Sequence, residues 1–447
     1  MHLDAAEPTD RHGTALACLR AGIDAAHPER VVDSSIRLDG SELHVVDATY
    51  DLSGVDQVVV VGGGKAAAGV AEALEDILGD RIDAGAVVTA DPGAGRRIEH
   101  LLGDHPVPSE RGVESTRRVV ELLDAADEDT LVICVVTGGA SALLPAPADG
   151  ITLDALQETT TQLLDSGATI HEINAVRKHL STLKGGGLAR HATPAHVVTL
   201  VFSDVVGNDL SVIASGPTVP DETTYADARA VVDRYGLTVP DSVATRLRRG
   251  ADGELPETPT RGDPLFDRVD THVLADGFTA LDAARTEAEN RGYATTILSS
   301  RVRGEAREAA KTHVAVGEEV LATENPIQPP AVVLSGGETT VTVHGDGEGG
   351  PNLEYALSAA LELSGAERGG HAVLASVDTD GEDGGTDVAG ALVDETTLDS
   401  RARRETARDA LDCNDALAAL AARDCLVRTG PTGTNVNDLR VLVIERA

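Results

Sequence analysis

Apolar, β-branched runs that end in glycine clusters and give way to helical spacing constrain this chain more than any other feature. Residues 57–61 form such a run and close on Gly62-Gly63-Gly64, after which residues 65–78 carry helical spacing. The run 84–89 ends at Ala90-Asp91-Pro92-Gly93, and 131–136 ends at Thr137-Gly138-Gly139-Ala140-Ser141. The run 196–202 ends at Ser203-Asp204-Val205-Val206-Gly207-Asn208-Asp209. A strand apolar along its whole length is covered on both faces, and helices between successive strands supply that cover. The pattern predicts an α/β fold with a Rossmann-like parallel sheet in its N-terminal part. Ligands of such sheets bind beyond the carboxyl ends of the strands, where these glycine and acidic clusters fall.

A stretch rich in proline, glycine and acids begins at Gly250 and runs through Glu254, Pro256, Pro259 and Pro264. It predicts an N-terminal domain over 1–250, a linker over 251–269 and a second α/β domain over 270–447. In the second domain strands are expected at 271–274, 295–298, 331–334, 341–343, 372–377 and 439–444. Helices are expected at 277–291 and near 352–363. Two α/β domains with a cleft between them is the simplest arrangement of these segments.

Composition narrows the partners. Asp and Glu number 74 against 37 Lys and Arg, a formal charge of −37, and aromatic residues make up only 2%. Such a surface repels nucleic acid and anionic membranes. Disorder is excluded because 41% of residues are apolar and recur in strand-like runs. A folded protein tolerates this self-repulsion where the Debye length falls to about 3 Å, near 1 M salt. A halophilic, cytoplasmic protein is therefore expected, as a monomer or a homodimer. The first residues hold no apolar signal core, and no apolar run reaches the roughly 20 residues of a membrane span. Cys18, Cys134, Cys413 and Cys425 lack C-x-x-C spacing and are expected as buried, reduced thiols.

Only four lysines occur, at 65, 178, 184 and 311, and the first three lie near glycines; the other 33 cations are arginine. A flexible point charge beside glycine backbone suits an anion such as phosphate. Gly62-Gly63-Gly64-Lys65-Ala66-Ala67 also fits the dinucleotide fingerprint G-x-G-x-x-A, with Asp91 as its acidic residue. That reading leads to an NAD(P)H-dependent hydroxypyruvate reductase. The template of a P-loop is absent. Asp204, at a strand's carboxyl end, is placed to accept a hydroxyl proton or to hold Mg²⁺, and Asp209 is a weaker metal candidate. Asp378-Thr379-Asp380-Gly381 begins an acidic loop that fails the calcium-loop template at its sixth and twelfth positions, Asp383 and Ala389. Gly138-Gly139-Ala140-Ser141 and Gly336-Gly337-Glu338-Thr339 offer backbone N–H groups to anionic oxygens. His105 and His179 are read as structural or substrate-lining.

Taken in order, these segments resemble the glycerate kinases that form 2-phosphoglycerate, which join a kinase domain to a C-terminal MOFRL domain. The resemblance runs from Gly62–Ala66 through His105-Pro106-Val107-Pro108, Thr137–Leu143, Ile173–Ser181, Leu183–Gly186, Ser203–Val205 and Ile213–Thr218 to Ser335–Thr339 and Asp378–Gly381. It implies a halophilic archaeal type of the family, phosphorylating D-glycerate with ATP and Mg²⁺. Lys65 and Asp204 then form the catalytic pair, with Arg177 neutralising transferring charge. Gly62, Gly63, Gly64, Ser141, Lys178 and Lys184 contact substrate or phosphate. In the second domain the candidates are Glu338, Asn352, Asp378 and Asp380. Two departures stand out: Pro351 replaces an arginine usual in the family, and Asp276 replaces a common asparagine.

Overall fold

The structure, a computed structural model, describes residues 3–6, 8–364 and 369–447. Two compact units divide the chain, one of Val31–Leu274 and the other of Met1–Arg30 with Ala275–Ala447. This division departs from the predicted one at both ends. Residues 251–269, expected as a linker, include a 3₁₀ turn at Pro264–Arg268 and lead into a strand of the first unit's sheet. The helix Asp10–Ala25 packs in the other unit, on the helix Gly277–Asn290 and the C-terminal strand. Gly22 makes that approach possible, because a methyl there would lie 2.5 Å from Leu439 Cδ2 and 2.8 Å from the Ala280 carbonyl oxygen. Local patterning carries no signal for a contact between segments so far apart in the chain.

The first unit opens with a three-stranded antiparallel sheet, β1 (Ile36–Asp39), β2 (Glu42–Val45) and β3 (Ala48–Asp51). Its main sheet comprises β4 (Gln57–Gly63), β5 (Ala84–Thr89), β6 (Glu99–Leu102), β7 (Thr130–Val136), β8 (His196–Phe202) and β9 (Val269–Ala275). Their order is β6-β5-β4-β7-β8-β9, and β4 through β8 pair in parallel. That is the doubly wound dinucleotide-fold order 3-2-1-4-5-6. The order reverses between β4 and β7, which opens a crevice beyond their carboxyl ends. Val60, Val61, Val132 and Cys134 in these two strands are fully buried, as their continuous apolar runs demand.

The second unit has a mixed sheet of β10 (Ala294–Val302), β11 (Ala331–Gly337), β12 (Gly370–Asp378), β13 (Gly390–Asp394), β14 (Leu426–Val427) and β15 (Asp438–Arg446). The order is β10-β11-β15-β12-β13-β14, and only β10 with β11 is parallel. The helix Pro351–Leu363 covers it with Leu353, Tyr355, Ala356, Leu357 and Ala360 in the core. Residues 341–343, expected as a strand, form none, and Val343 is exposed. Both departures from the family's usual sequence have local explanations. Pro351 occupies the first helical turn, where its missing N–H has no intrahelical acceptor to lose. Asp276 caps the helix Gly277–Asn290 by accepting from the N–H of Phe278 and Thr279, at 2.9 and 3.2 Å.

The four cysteines are free. Cys18 and Cys134 are buried, and burial pushes both thiols up to about 12, whereas Cys413 is exposed against expectation. Among the described residues no helix is long and apolar enough to cross a membrane.

Candidate active site

The β4 loop meets the β7 loop at the switch point. A side chain at Gly62 would overlap the Val135 carbonyl, and one at Gly64 would overlap Thr137, so these glycines are demanded by close strand and turn contact. The N–H of Gly64 donates to the Val88 carbonyl at 3.0 Å and that of Lys65 to the Gly138 carbonyl at 2.8 Å. The N–H of Ala66 donates to Thr137 Oγ1 at 3.2 Å. A pyrophosphate cradle requires such amides to face the ligand. Here the amides of Gly64, Lys65 and Ala66 are committed inside the protein, and Gly62 and Gly63 pair within the sheet with β5 and β7, which corrects the expectation that Gly62, Gly63 and Gly64 offer backbone to phosphate. What the loop presents is the Lys65 side chain, an exposed residue on buried backbone.

The turn Gly138-Gly139 collects the other groups. A side chain at Gly138 would overlap the carboxylate of Asp204, which stands just past the end of β8. A methyl at Gly139, whose φ is 81°, would lie 3.1 Å from His105 Cδ2 and 3.3 Å from Lys65 Cγ. Lys65, His105 and Asp204 therefore stand against the same two glycines. His105 was only a lining candidate in the sequence; nothing there revealed its place beside Lys65. Asp209 is not gathered in this way. Its carboxylate closes a local turn, accepting from Ser211 N–H at 2.9 Å and Ser211 Oγ at 2.7 Å.

Two residues past Gly139, Ser141 enters a buried polar chain. Its hydroxyl meets Ser215 Oγ at 2.9 Å, Ser215 donates to Asn174 Oδ1 at 2.9 Å, and Lys184 Nζ donates to the Ser141 carbonyl at 2.7 Å. Burial first, and the charge of Arg177 second, push Lys184 down to about 7. Burial likewise lowers Arg177. Lys178 differs from both. It forms a buried ion pair with Asp221 at 3.1 Å, so its charge is satisfied within the protein and it is withdrawn as a phosphate contact. His179 is structural, bonded to the Ala175 carbonyl at 2.6 Å and to Glu257 at 3.1 Å.

The second unit's candidates separate into surface and interior. Glu338 is exposed at the end of β11. Asn352 is buried and donates to Asp438 at 2.7 Å and to Asp383 at 3.3 Å, while accepting from Ser376 at 2.6 Å. Its amide is spent on neighbours, which makes it a structural residue. Asp380 accepts from Glu382 N–H at 3.0 Å and Asn435 Nδ2 at 3.3 Å. Burial, then Asp380 and Asp438, raises the Asp378 carboxyl well above the usual range. Burial raises Asp383 to about 6, against hydrogen bonds from the N–H of Asn352 and Leu353. Among the described residues no cluster of three His, Cys, Asp or Glu is arranged to hold a metal ion.

This acidic group has a consequence for stability. A carboxyl that holds its proton more tightly when folded contributes stability that is full below its unfolded value, about 3.9. For Asp383 that contribution is lost as pH rises through about 6. The denaturation midpoint, measured at high KCl to screen general repulsion, should therefore fall between about pH 4 and about pH 7 and level off above. Asp383→Asn should flatten the fall. An unchanged slope in the variant would remove Asp383 as its source.

Fold and site define a class: a doubly wound sheet carrying a lysine and a carboxylate at its switch point, followed by a mixed-sheet unit. Residues 14–248 match a domain of unknown function (DUF4147), and residues 331–438 match the MOFRL family. D-glycerate 2-kinase of Thermotoga maritima is 38% identical over 98% of this chain and 99% of its own length. A protein provisionally named hydroxypyruvate reductase in Agrobacterium vitis is 42% identical over 86% of this chain and 87% of its own. The crystal structure of a Thermotoga maritima glycerate kinase superposes with a TM-score of 0.83, covering 97% of this chain and 99% of that one. The chain belongs to the glycerate 2-kinase family.

Proposed function

We propose that this chain transfers the γ-phosphoryl group of ATP to the C2 hydroxyl of D-glycerate, giving 2-phosphoglycerate and ADP. The observation that carries this is the gathering of Lys65 and Asp204 against Gly138-Gly139 at the switch point of the sheet. Phosphoryl transfer needs in-line placement and charge neutralisation more than covalent chemistry from the protein. Asp204 orients the C2 hydroxyl and takes its proton. Lys65, on a flexible stem, follows the negative charge on the phosphoryl oxygens. Mg²⁺ suits this donor set, because in kinases it is held largely by nucleotide phosphates and water with one or two carboxylates, here Asp204. When bound, the ion would neutralise phosphate charge.

A reductase would use the β4 loop to hold pyrophosphate, and the internal bonding of the Gly64, Lys65 and Ala66 amides argues against that use. The deciding assay sets ADP release from ATP with D-glycerate against NADPH oxidation with hydroxypyruvate. ADP release alone is expected; NADPH oxidation alone would replace this reading.

The charge of −37 supports a salt-adapted, cytoplasmic enzyme. Raising KCl from about 0.1 M to above about 1 M should raise the thermal midpoint and kcat together, as screening relieves repulsion. Greatest stability in dilute buffer would contradict the salt adaptation while leaving the kinase reading intact.

A further inference from the structure

We propose that Arg177 and Lys184 form the seat for the acceptor's carboxylate, with the amide nitrogen of Asn174 as a third donor; this rests on the kinase reading above. Lys184 is only 5% exposed. Neither it nor Arg177 forms an ion pair with a carboxylate among the described residues, unlike Lys178 beside them. Burying like charges together without a counter-charge is costly. In a chain with 74 acidic residues, two cations so placed are arranged for an anion that arrives from outside. Asn174 precedes Arg177 by three residues on the helix Ile170–His179, so the two share a face. Its oxygen accepts from Ser215, while its buried nitrogen has no partner. The hydrogen-bonded chain Asn174–Ser215–Ser141–Lys184 links the seat's donors, and its Ser141 lies two residues past the turn against which Lys65 and Asp204 stand.

The chemistry favours a carboxylate over the moving phosphoryl group. A guanidinium fixed on a helix matches a planar monoanion that must be held still, whereas exposed Lys65 suits a group in transit. Glycerate carries its carboxylate on the carbon next to the reacting hydroxyl, so seat and Asp204 must adjoin. Binding there is coupled to a proton. An anion favours charged Lys184, so affinity is full below the free amine's value and declines as pH rises past it. The groups facing Lys184 are Arg177, the Ser141 carbonyl and, across Gly185, the Lys178–Asp221 pair; Lys65, His105 and Asp204 lie about the neighbouring turn.

The test measures KM for D-glycerate and for ATP separately by ADP release from the full chain at high KCl, across about pH 6 to about pH 9. In the wild type, KM for D-glycerate should rise, approaching about tenfold per unit above the Lys184 value, while KM for ATP stays level. Lys184→Arg, charged throughout, should remove the rise. Arg177→Gln should raise KM for D-glycerate about 10–100-fold at every pH, the scale of a lost charge-assisted contact. Should that variant not fold, wild-type protein with glyceramide, the uncharged amide analogue, replaces it and should show a KM independent of pH. A flat KM for D-glycerate in the wild type, or a rise confined to ATP, overturns the seat and leaves the kinase reading standing. Absence of wild-type ADP release overturns the kinase reading itself.

Discussion

Lys65→Ala should lower kcat/KM by about 10²–10⁴, the scale of losing one electrostatic contact to the transition state. The residue is exposed on a loop whose backbone is held by Val88, Gly138 and Thr137, so its removal should leave the thermal midpoint nearly unchanged. Lys65→Arg should recover little, because a planar guanidinium replaces a compact charge beside Gly139 and His105. Steady-state ADP release with both substrates varied separates a loss in kcat from a loss in binding. Lys311→Arg is the control. That lysine pairs with Glu308 on an exposed helical face and should behave as wild type. Full activity in Lys65→Ala would remove the lysine from the mechanism.

Asp204→Asn is expected to lower kcat by about 10²–10⁴, within the range general-base catalysis supplies. The amide keeps the shape that fits against Gly138 but cannot take the hydroxyl proton. KM for ATP should change far less than kcat. A variant that stays fast but melts at lower temperature would make Asp204 a structural residue. Asp209→Asn gives the contrast, since Asp209 is occupied by Ser211 and its change should affect the loop more than turnover.

Much of the first unit was legible because its strands are buried on both faces. Residues 84–89 and 196–202 begin and end as strands where the apolar runs do, and the glycine and acidic clusters fall at the strand ends that frame the crevice. Periodicity could not reveal where backbone N–H groups go. Gly62-Gly63-Gly64 reads as a ligand cradle, yet Gly62 and Gly64 serve contact with Val135 and Thr137, and Gly63 with Val88 and Leu144. Nor could it show which cations are already paired: Lys178 and Lys184 look alike in sequence, and only the fold brings Asp221, 43 residues away, to one of them. The second unit was less legible for a physical reason. Its antiparallel pairings join strands distant in sequence, and the helix Asp10–Ala25 reaches it from the other end of the chain. Residues 341–343 alternate like a strand but pair with nothing in the sheet. Asn352, whose setting suggested a ligand contact, is instead the buried hub joining Asp383, Asp438 and Ser376.

The most direct measurement of the central claim is a coupled assay in which ATP and D-glycerate are supplied with enolase alone as the downstream enzyme. Enolase accepts 2-phosphoglycerate and not its 3-phospho isomer, so formation of phosphoenolpyruvate reports the position of the new phosphate. Phosphoenolpyruvate should appear in step with ADP, at high KCl, and should vanish with Asp204→Asn. ADP release without phosphoenolpyruvate would mean that the phosphate goes elsewhere, and the proposed alignment of Asp204 with the C2 hydroxyl would be wrong.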